Sequence, residues 1–132
     1  MNIDKFTQKS IEAINGCESV ASDYGNQEIE EEHLLYSLLT IDDSLILKLI
    51  EKMEIQKEHF VNRVEQALEK RVKVQGGQKY FGEHLNRVIS SLAPEEAKQM
   101  GDELIAVEHL FLAMLKYPNK EIAEIFKEYG IT

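Results

Sequence analysis

The sequence predicts an all-α fold, a pseudo-twofold bundle of two tandem helical repeats with about 7–8 helices joined by a short connector. Three observations predict it: an ungapped internal repeat, apolar residues spaced for helix faces nearly everywhere, and glycine, proline and capping residues where those helices should end. Residues 25–40 (GNQEIEEEHLLYSLLT) return 76 residues later as residues 101–116 (GDELIAVEHLFLAMLK), with six of sixteen positions identical. Shared apolar spacing is common among helices, but a Gly, a Glu and a His kept in step mark a duplication.

The elements follow in order. A long first helix is expected near residues 4–23, weakened at Gly16 and stopped at Gly25, where glycine accepts the left-handed turn that closes a helix. Leu34, Leu35, Leu38 and Leu39 form the stripe of a second helix; Leu110, Phe111, Met114 and Leu115 copy it. Asp43 and Ser44 can cap a third helix with the stripe Ile46, Leu49, Ile50 and Met53, matched later by Ile122, Ile125, Phe126 and Tyr129 after Pro118 and the cap Asn119. Phe60, Val64, Ala67 and Leu68 make a fourth helix near 56–71 with no counterpart at the end of the chain. The stretch VKVQGGQKY (72–80) has two glycines and no acids and reads as the connector. The counterpart of the first helix, near 83–99, must kink or restart at Pro94 and stop at Gly101. One domain over 1–132 results: repeat one about 4–71, connector about 72–80, repeat two about 81–131. Each repeat alone exposes an apolar face, so the two pack together, with a groove between them rimmed by equivalent residues of both.

Composition narrows the function. With 132 residues, 43% hydrophobic and 30% charged, the chain can bury a core without disulfides. One cysteine, Cys17, and an opening MNIDKF without a signal-peptide core suit the cytoplasm, and no apolar run approaches a membrane span. The net charge of −9 is carried almost wholly by residues 1–70, which hold 15 acids against 7 bases. An acidic surface disfavours nucleic acid and leaves cationic or apolar partners.

Catalytic signatures are missing. GGQK at 76–79 is too short for a phosphate loop and does not lie between a strand and a helix. Glu32-His33 and Glu108-His109 are adjacent pairs whose side chains point about 100° apart on a helix, so neither pair chelates a metal; the histidines read as partly buried polar groups under helix ends. Glu32 and Glu108 fall in first helical turns, where a carboxylate favours the dipole, and a binding role is the alternative. Cys17 reads as packing. No catalytic residue and no metal ligand is assigned; a free-standing hydrolase using His and Glu is a distant alternative.

The E-H-L repeat, with the opening DKFTQKSIEAI and the closing IFKEYGIT, resembles the amino-terminal domain of Clp-type AAA+ unfoldases over the whole chain, most closely the ClpB disaggregases. The resemblance implies a domain that captures unfolded or aggregated polypeptide for a ring homohexamer working with co-chaperones. ATP and magnesium would belong to ATPase modules outside this sequence, with no cofactor here and an isolated domain that is monomeric. It further implies substrate contacts at Thr7, Leu92, Asp102 and Glu108, while Glu96 and His109 replace leucines and would weaken or redirect apolar capture. The sister resemblance, to ClpC, implies instead a regulatory domain that reads adaptors or phosphoarginine through Glu32 and Glu108. Its G-T-E-H-I form is absent from both repeats, which read EEEHLL and AVEHLF.

Overall fold

A computed structural model describes residues 3–131; Met1, Asn2 and Thr132, within the expected 1–132 domain, lie outside it. The helices are α1 (Gln8–Tyr24), α2 (Glu31–Thr40), α3 (Leu45–Lys52), α4 (Lys57–Glu69), α5 (Glu83–Arg87), α6 (Ala93–Gln99), α7 (Val107–Lys116) and α8 (Lys120–Glu128). A π-helical turn, Val88–Leu92, joins α5 to α6. Thus the expected helix near 83–99 is one rod with a widened turn. Pro94 has no N–H to return to the carbonyl four residues back, and the wider turn just before it accommodates the missing bond.

α1 begins later than residue 4. Ile3–Lys5 is a 3-10 turn, and the Thr7 hydroxyl caps α1 by accepting the Ser10 N–H at 3.2 Å. Gly25 and Gly101 end their helices with φ of 71° and 74°. Ser44 and Asn119 cap α3 and α8, accepting the N–H groups of Leu47 and Ile122. Asp43 instead takes a left-handed turn (φ 54°) and pairs with Lys48. Gly16 does more than weaken α1: a Cβ there would lie 2.5 Å from Ser37 Oγ, so glycine lets α1 and α2 cross closely.

Two short parallel pairings were not expected from the helical pattern, and they exchange segments between repeats. Strand β1 (Glu28–Ile29) pairs with β2 (Tyr80–Phe81), so the end of the expected connector belongs to a strand; Phe6 bridges Ile105 likewise. Gly82 N–H donates to Ile29 C=O at 2.8 Å, and Thr7 N–H to Ile105 C=O at 3.0 Å, so the segment before each repeat's first helix is tied to the other repeat.

The core runs through both halves. Leu34, Leu35, Leu38 and Leu39 are buried, as are Leu110, Phe111 and Met114. The paired stripes diverge in α3 and α8. Ile122, Ile125 and Phe126 are buried, but in α3 only Ile46 and Ile50 are; Leu49 and Met53 remain 37% and 39% exposed.

Candidate functional site

The duplicated Glu-His pairs sit at the starts of α2 and α7, and the histidines are buried more completely than expected. His33 Nδ1 accepts the Glu30 N–H at 2.8 Å and His109 Nδ1 accepts the Ala106 N–H at 2.8 Å, each satisfying a free N–H at the helix start. The opposite ring nitrogens carry the protons: His33 Nε2 donates to Asn26 Oδ1 (2.9 Å) and His109 Nε2 to Asp102 Oδ2 (2.8 Å). Burial, reinforced by nearby Arg71, pushes His33 down to about 4. Among the described residues no three His, Cys, Asp or Glu side chains gather as metal ligands. Cys17 is buried and its thiol pushed up to about 12 by burial, which removes it as a nucleophile.

The two repeats treat their matching acids differently. In the first, Glu32 is buried; it accepts from Arg71 Nη1 at 2.8 Å and from Asn119 Nδ2 at 2.7 Å. Arg71 also reaches Glu28 at 2.7 Å, and Asn26 is sealed by a bond from its amide to Val72 C=O. Glu28, Glu32, Arg71 and Val72, with Lys70, Tyr80 and Glu121, line a cavity of about 450 Å³. Among the described residues, nothing equivalent covers the acids of the second repeat. Asp102, the counterpart of Asn26, has a side chain 45% exposed and gives only one oxygen to His109. Glu108 is half-buried beside Leu112 and Leu115 in an apolar groove of about 440 Å³, also lined by Leu49, Met53 and Ile131.

Of the residues expected to contact substrate, then, Asp102 and Glu108 are accessible on the second repeat. Thr7 spends its oxygen capping α1. Leu92 is half-buried on the π turn and packs on the core. The α3–α7 groove contains Glu108 but not Thr7, Leu92 or Asp102. Nor do the equivalent glutamates share a groove rim, as expected from the symmetry: Glu32 and Glu108 line different cavities, because the residues after α4 close over the first. Glu96 is buried and paired with Lys116 at 2.8 Å. With His109 committed to its cap, both polar substitutions have internal partners.

Three further acids matter that the pattern did not single out as functional. Glu30 crosses between repeats, accepting the N–H groups of His84 (3.1 Å) and Leu85 (3.0 Å) at the start of α5. Glu31 accepts the Asn119 N–H, and burial pushes its carboxyl up to about 8. Glu121 joins Arg63 and Lys70 of the α4 region to α8. Their partners lie 50 or more residues away, so local spacing carries no signal for them.

The family model described as the Clp repeat (R) N-terminal domain matches residues 5–129. The chaperone protein ClpB of Nitratidesulfovibrio vulgaris is 33% identical over 138 residues, covering 100% of this chain and 16% of that protein. ClpB of Brucella suis is 34% identical over 134 residues, covering 100% and 15%. The chain therefore spans about one sixth of the length of such relatives. Among solved structures, the Hsp104 N-terminal domain from Candida albicans superposes with a TM-score of 0.83 at 24% identity, over 97% of this chain and 83% of that one. A ClpV N-domain in complex with a VipB peptide gives 0.74 at 20% identity, over 98% and 81%. These two share the fold. Among the described residues no helix is long and apolar enough to cross a membrane.

Proposed function

The chain belongs to the Clp repeat N-terminal domain family, and from that premise we propose that it is the polypeptide-recognition domain of a ClpB-like chaperone, without catalysis or cofactor of its own. The client would be unfolded or aggregated protein, presented to an AAA+ ring. The observation that carries this reading is that, among the described residues, Asp102 has a side chain 45% exposed that gives one oxygen to His109, and Glu108 lies half-buried in the α3–α7 groove. A carboxylate held by a buried histidine through one oxygen has the other to offer a backbone N–H or a basic side chain. Leu92 and Thr7 complete the proposed contact surface. Affinity per domain is weak, as transfer requires, and several copies in one ring supply the avidity.

The neighbouring ClpV N-domain holds a peptide, which supports polypeptide as the ligand class. The adaptor or phosphoarginine reading needs Glu32 and Glu108 together; Arg71 already occupies Glu32, and that favours client recognition.

The test is an amide chemical-shift titration with an unfolded client, and separately with phosphoarginine, on the wild type and on Asp102→Asn and Glu108→Ala. Asp102→Asn keeps the acceptor for His109 and mirrors Asn26. Client shifts at Leu92, Asp102 and Glu108, weakened in both variants, are expected. Unchanged client binding in both would sink the assignment. Saturable phosphoarginine binding at Glu32 and Glu108 would move the protein to the adaptor-type reading.

A further inference from the structure

Among the described residues, two buried side-chain atoms have no hydrogen-bond partner, Glu31 Oε2 and His84 Nδ1. Leaving a buried polar atom unpaired is costly, and native folds satisfy nearly all of them with protein groups or ordered water. These two belong to opposite repeats and meet at one joint. Glu31 opens α2 and is fully buried; its Oε1 accepts the Asn119 N–H at 2.6 Å. His84 lies at the start of α5, and its ring stacks on Tyr117 with centroids 4.7 Å apart. Both side chains therefore reach the Tyr117–Asn119 turn between α7 and α8. Glu30, next to Glu31, holds the His84 N–H at 3.1 Å and draws the two helix starts together. Arg87 fixes Tyr117 in turn, donating from Nη1 to its hydroxyl at 2.9 Å.

Helix packing does not require these residues. The internal repeat, offset by 76 positions, puts Val107 in the place of Glu31 and Gln8 in the place of His84. Val107 is buried with no acid, and Gln8 is exposed. An acid and an imidazole thus stand where the other half has an apolar and a solvated residue, and each has one buried atom to spare.

The surroundings set the protonation. Burial, then the adjoining Glu30 and Glu32 carboxylates, push Glu31 up to about 8 against the effect of the Asn119 N–H, so at neutral pH its carboxyl is a donor. The bases on neighbouring elements are committed elsewhere. Arg71, after α4, holds Glu32 and Glu28, while Arg63 and Lys70 hold Glu121 at the start of α8. His33 spends both ring nitrogens on Glu30 and Asn26, and Glu83 of α5 is exposed. His84 Nδ1 is the acceptor that remains.

We infer that one buried water links Glu31 Oε2 to His84 Nδ1, and that this acid–water–imidazole bridge holds a single proton between the repeats. The water accepts from the Glu31 carboxyl and donates to Nδ1, which leaves Nε2 as the protonated ring nitrogen. The proton can sit at either end, so the two groups titrate as a pair. The bridge fastens α2 of the first repeat to the α5 start and the α7–α8 turn of the second. Loss of its proton at alkaline pH leaves three successive carboxylates, Glu30, Glu31 and Glu32, at one helix start, so the contact between repeats is proton-sensitive. Thr7, Leu92, Asp102 and Glu108 take no part, and the bridge does not rest on the client reading.

Nuclear magnetic resonance of the unmutated 132-residue protein tests it first. Three results are expected: a neutral His84 protonated at Nε2 at pH 7, a long-lived water contact at the His84 and Asn119 amides, and a Glu31 Cδ transition above pH 7 mirrored by the His84 ring. A Glu31 carboxyl that ionises near its ordinary 4.5, a neutral His84 protonated at Nδ1, or no retained water would each overturn the bridge. The repeat itself supplies the variants, since Glu31→Val and His84→Gln copy the other half. In a urea double-mutant cycle the unfolding constant of the double variant should differ about tenfold from the product of the single effects, the scale of one buried hydrogen bond. Independent single effects would remove the bridge. If Glu31→Val does not fold, His84→Gln alone serves: it should move the Glu31 transition, and an unmoved midpoint overturns the pairing.

Discussion

The Glu30 carboxylate occupies the space that a side chain at residue 82 would need: a Cβ on Gly82 would collide with its Oε2. Glu30 thereby caps α5 from the other repeat, bonding the N–H groups of His84 and Leu85, while α1 is capped locally by Thr7. Gly82→Thr should destabilise the domain by about 1–3 kcal/mol through overpacking, and Glu30→Ala by about 1–2 kcal/mol through the lost cap. Combined, they should cost less than the sum, because threonine at 82 can then do what Thr7 does. Urea denaturation of the two singles and the double measures this; strict additivity would show that the two positions are uncoupled.

The matching glutamates should respond oppositely to mutation. Arg71→Ala strands Glu32, which is only 3% exposed, and should cost about 3 kcal/mol. Glu32→Gln added to it should recover a large part, since a neutral amide tolerates burial beside Asn119 better than an orphaned charge. Glu108→Ala, with no side-chain partner to strand among the described residues, should change stability by less than about 0.5 kcal/mol. Melting temperatures of the four proteins test the contrast, and a Glu108→Ala loss comparable to that of Arg71→Ala would contradict it.

How much of this was legible in the sequence depends on how far apart the partners lie. The helix faces of 34–39 and 110–115, the Gly25 and Gly101 stops and the Ser44 and Asn119 caps are local features, and each is where its spacing puts it. The Phe6–Ile105 and Ile29–Phe81 exchanges were hidden, because strands of one or two residues leave no alternating pattern. At the site, the repeat singled out Glu32 and Glu108 but not their difference. That difference is made by Arg71, whose partner lies 39 residues away and whose place at the edge of the connector gives no sign of it. Leu49 and Met53 share a helix stripe with Ile46 and Ile50, and spacing alone does not distinguish the pair that is buried from the pair that stays 37% and 39% exposed.

Two buried groups at the start of α2 should give the stability a maximum in pH. His33 sits near 4 in the fold, below its ordinary value of 6.5, so unfolding takes up a proton in that window and stability rises with pH between about 4 and 6.5. Glu31 is raised by burial from 4.5 to about 8, and Glu30 is raised in the same sense. For these acids unfolding releases a proton, so stability falls as pH climbs toward 8. Urea midpoints should therefore decline from near pH 6.5 to pH 8.5 in the wild type. Glu31→Gln, which cannot ionise, should flatten that decline. An equal slope in both proteins would show that Glu31 does not hold its proton in the fold.

Glu54 and Gly130 supply the last prediction, because the duplication has run the experiment on one side. Both residues follow the helix of the α3–α8 pair and both adopt left-handed backbone, at φ 63° and 68°. Glycine takes this conformation without penalty, whereas a residue with a Cβ carries strain of order 1 kcal/mol. Glu54 lies on the surface, and its N–H closes the turn on Glu51 C=O at 2.9 Å, a bond that glycine keeps. Glu54→Gly should therefore raise stability despite the greater freedom of glycine in the unfolded chain, by about 0.5–1 kcal/mol. Gly130→Glu should lower it by a similar amount. Thermal denaturation of both variants reads the two signs directly, and a fall in stability for Glu54→Gly would mean that its side chain contributes more than the strained backbone costs.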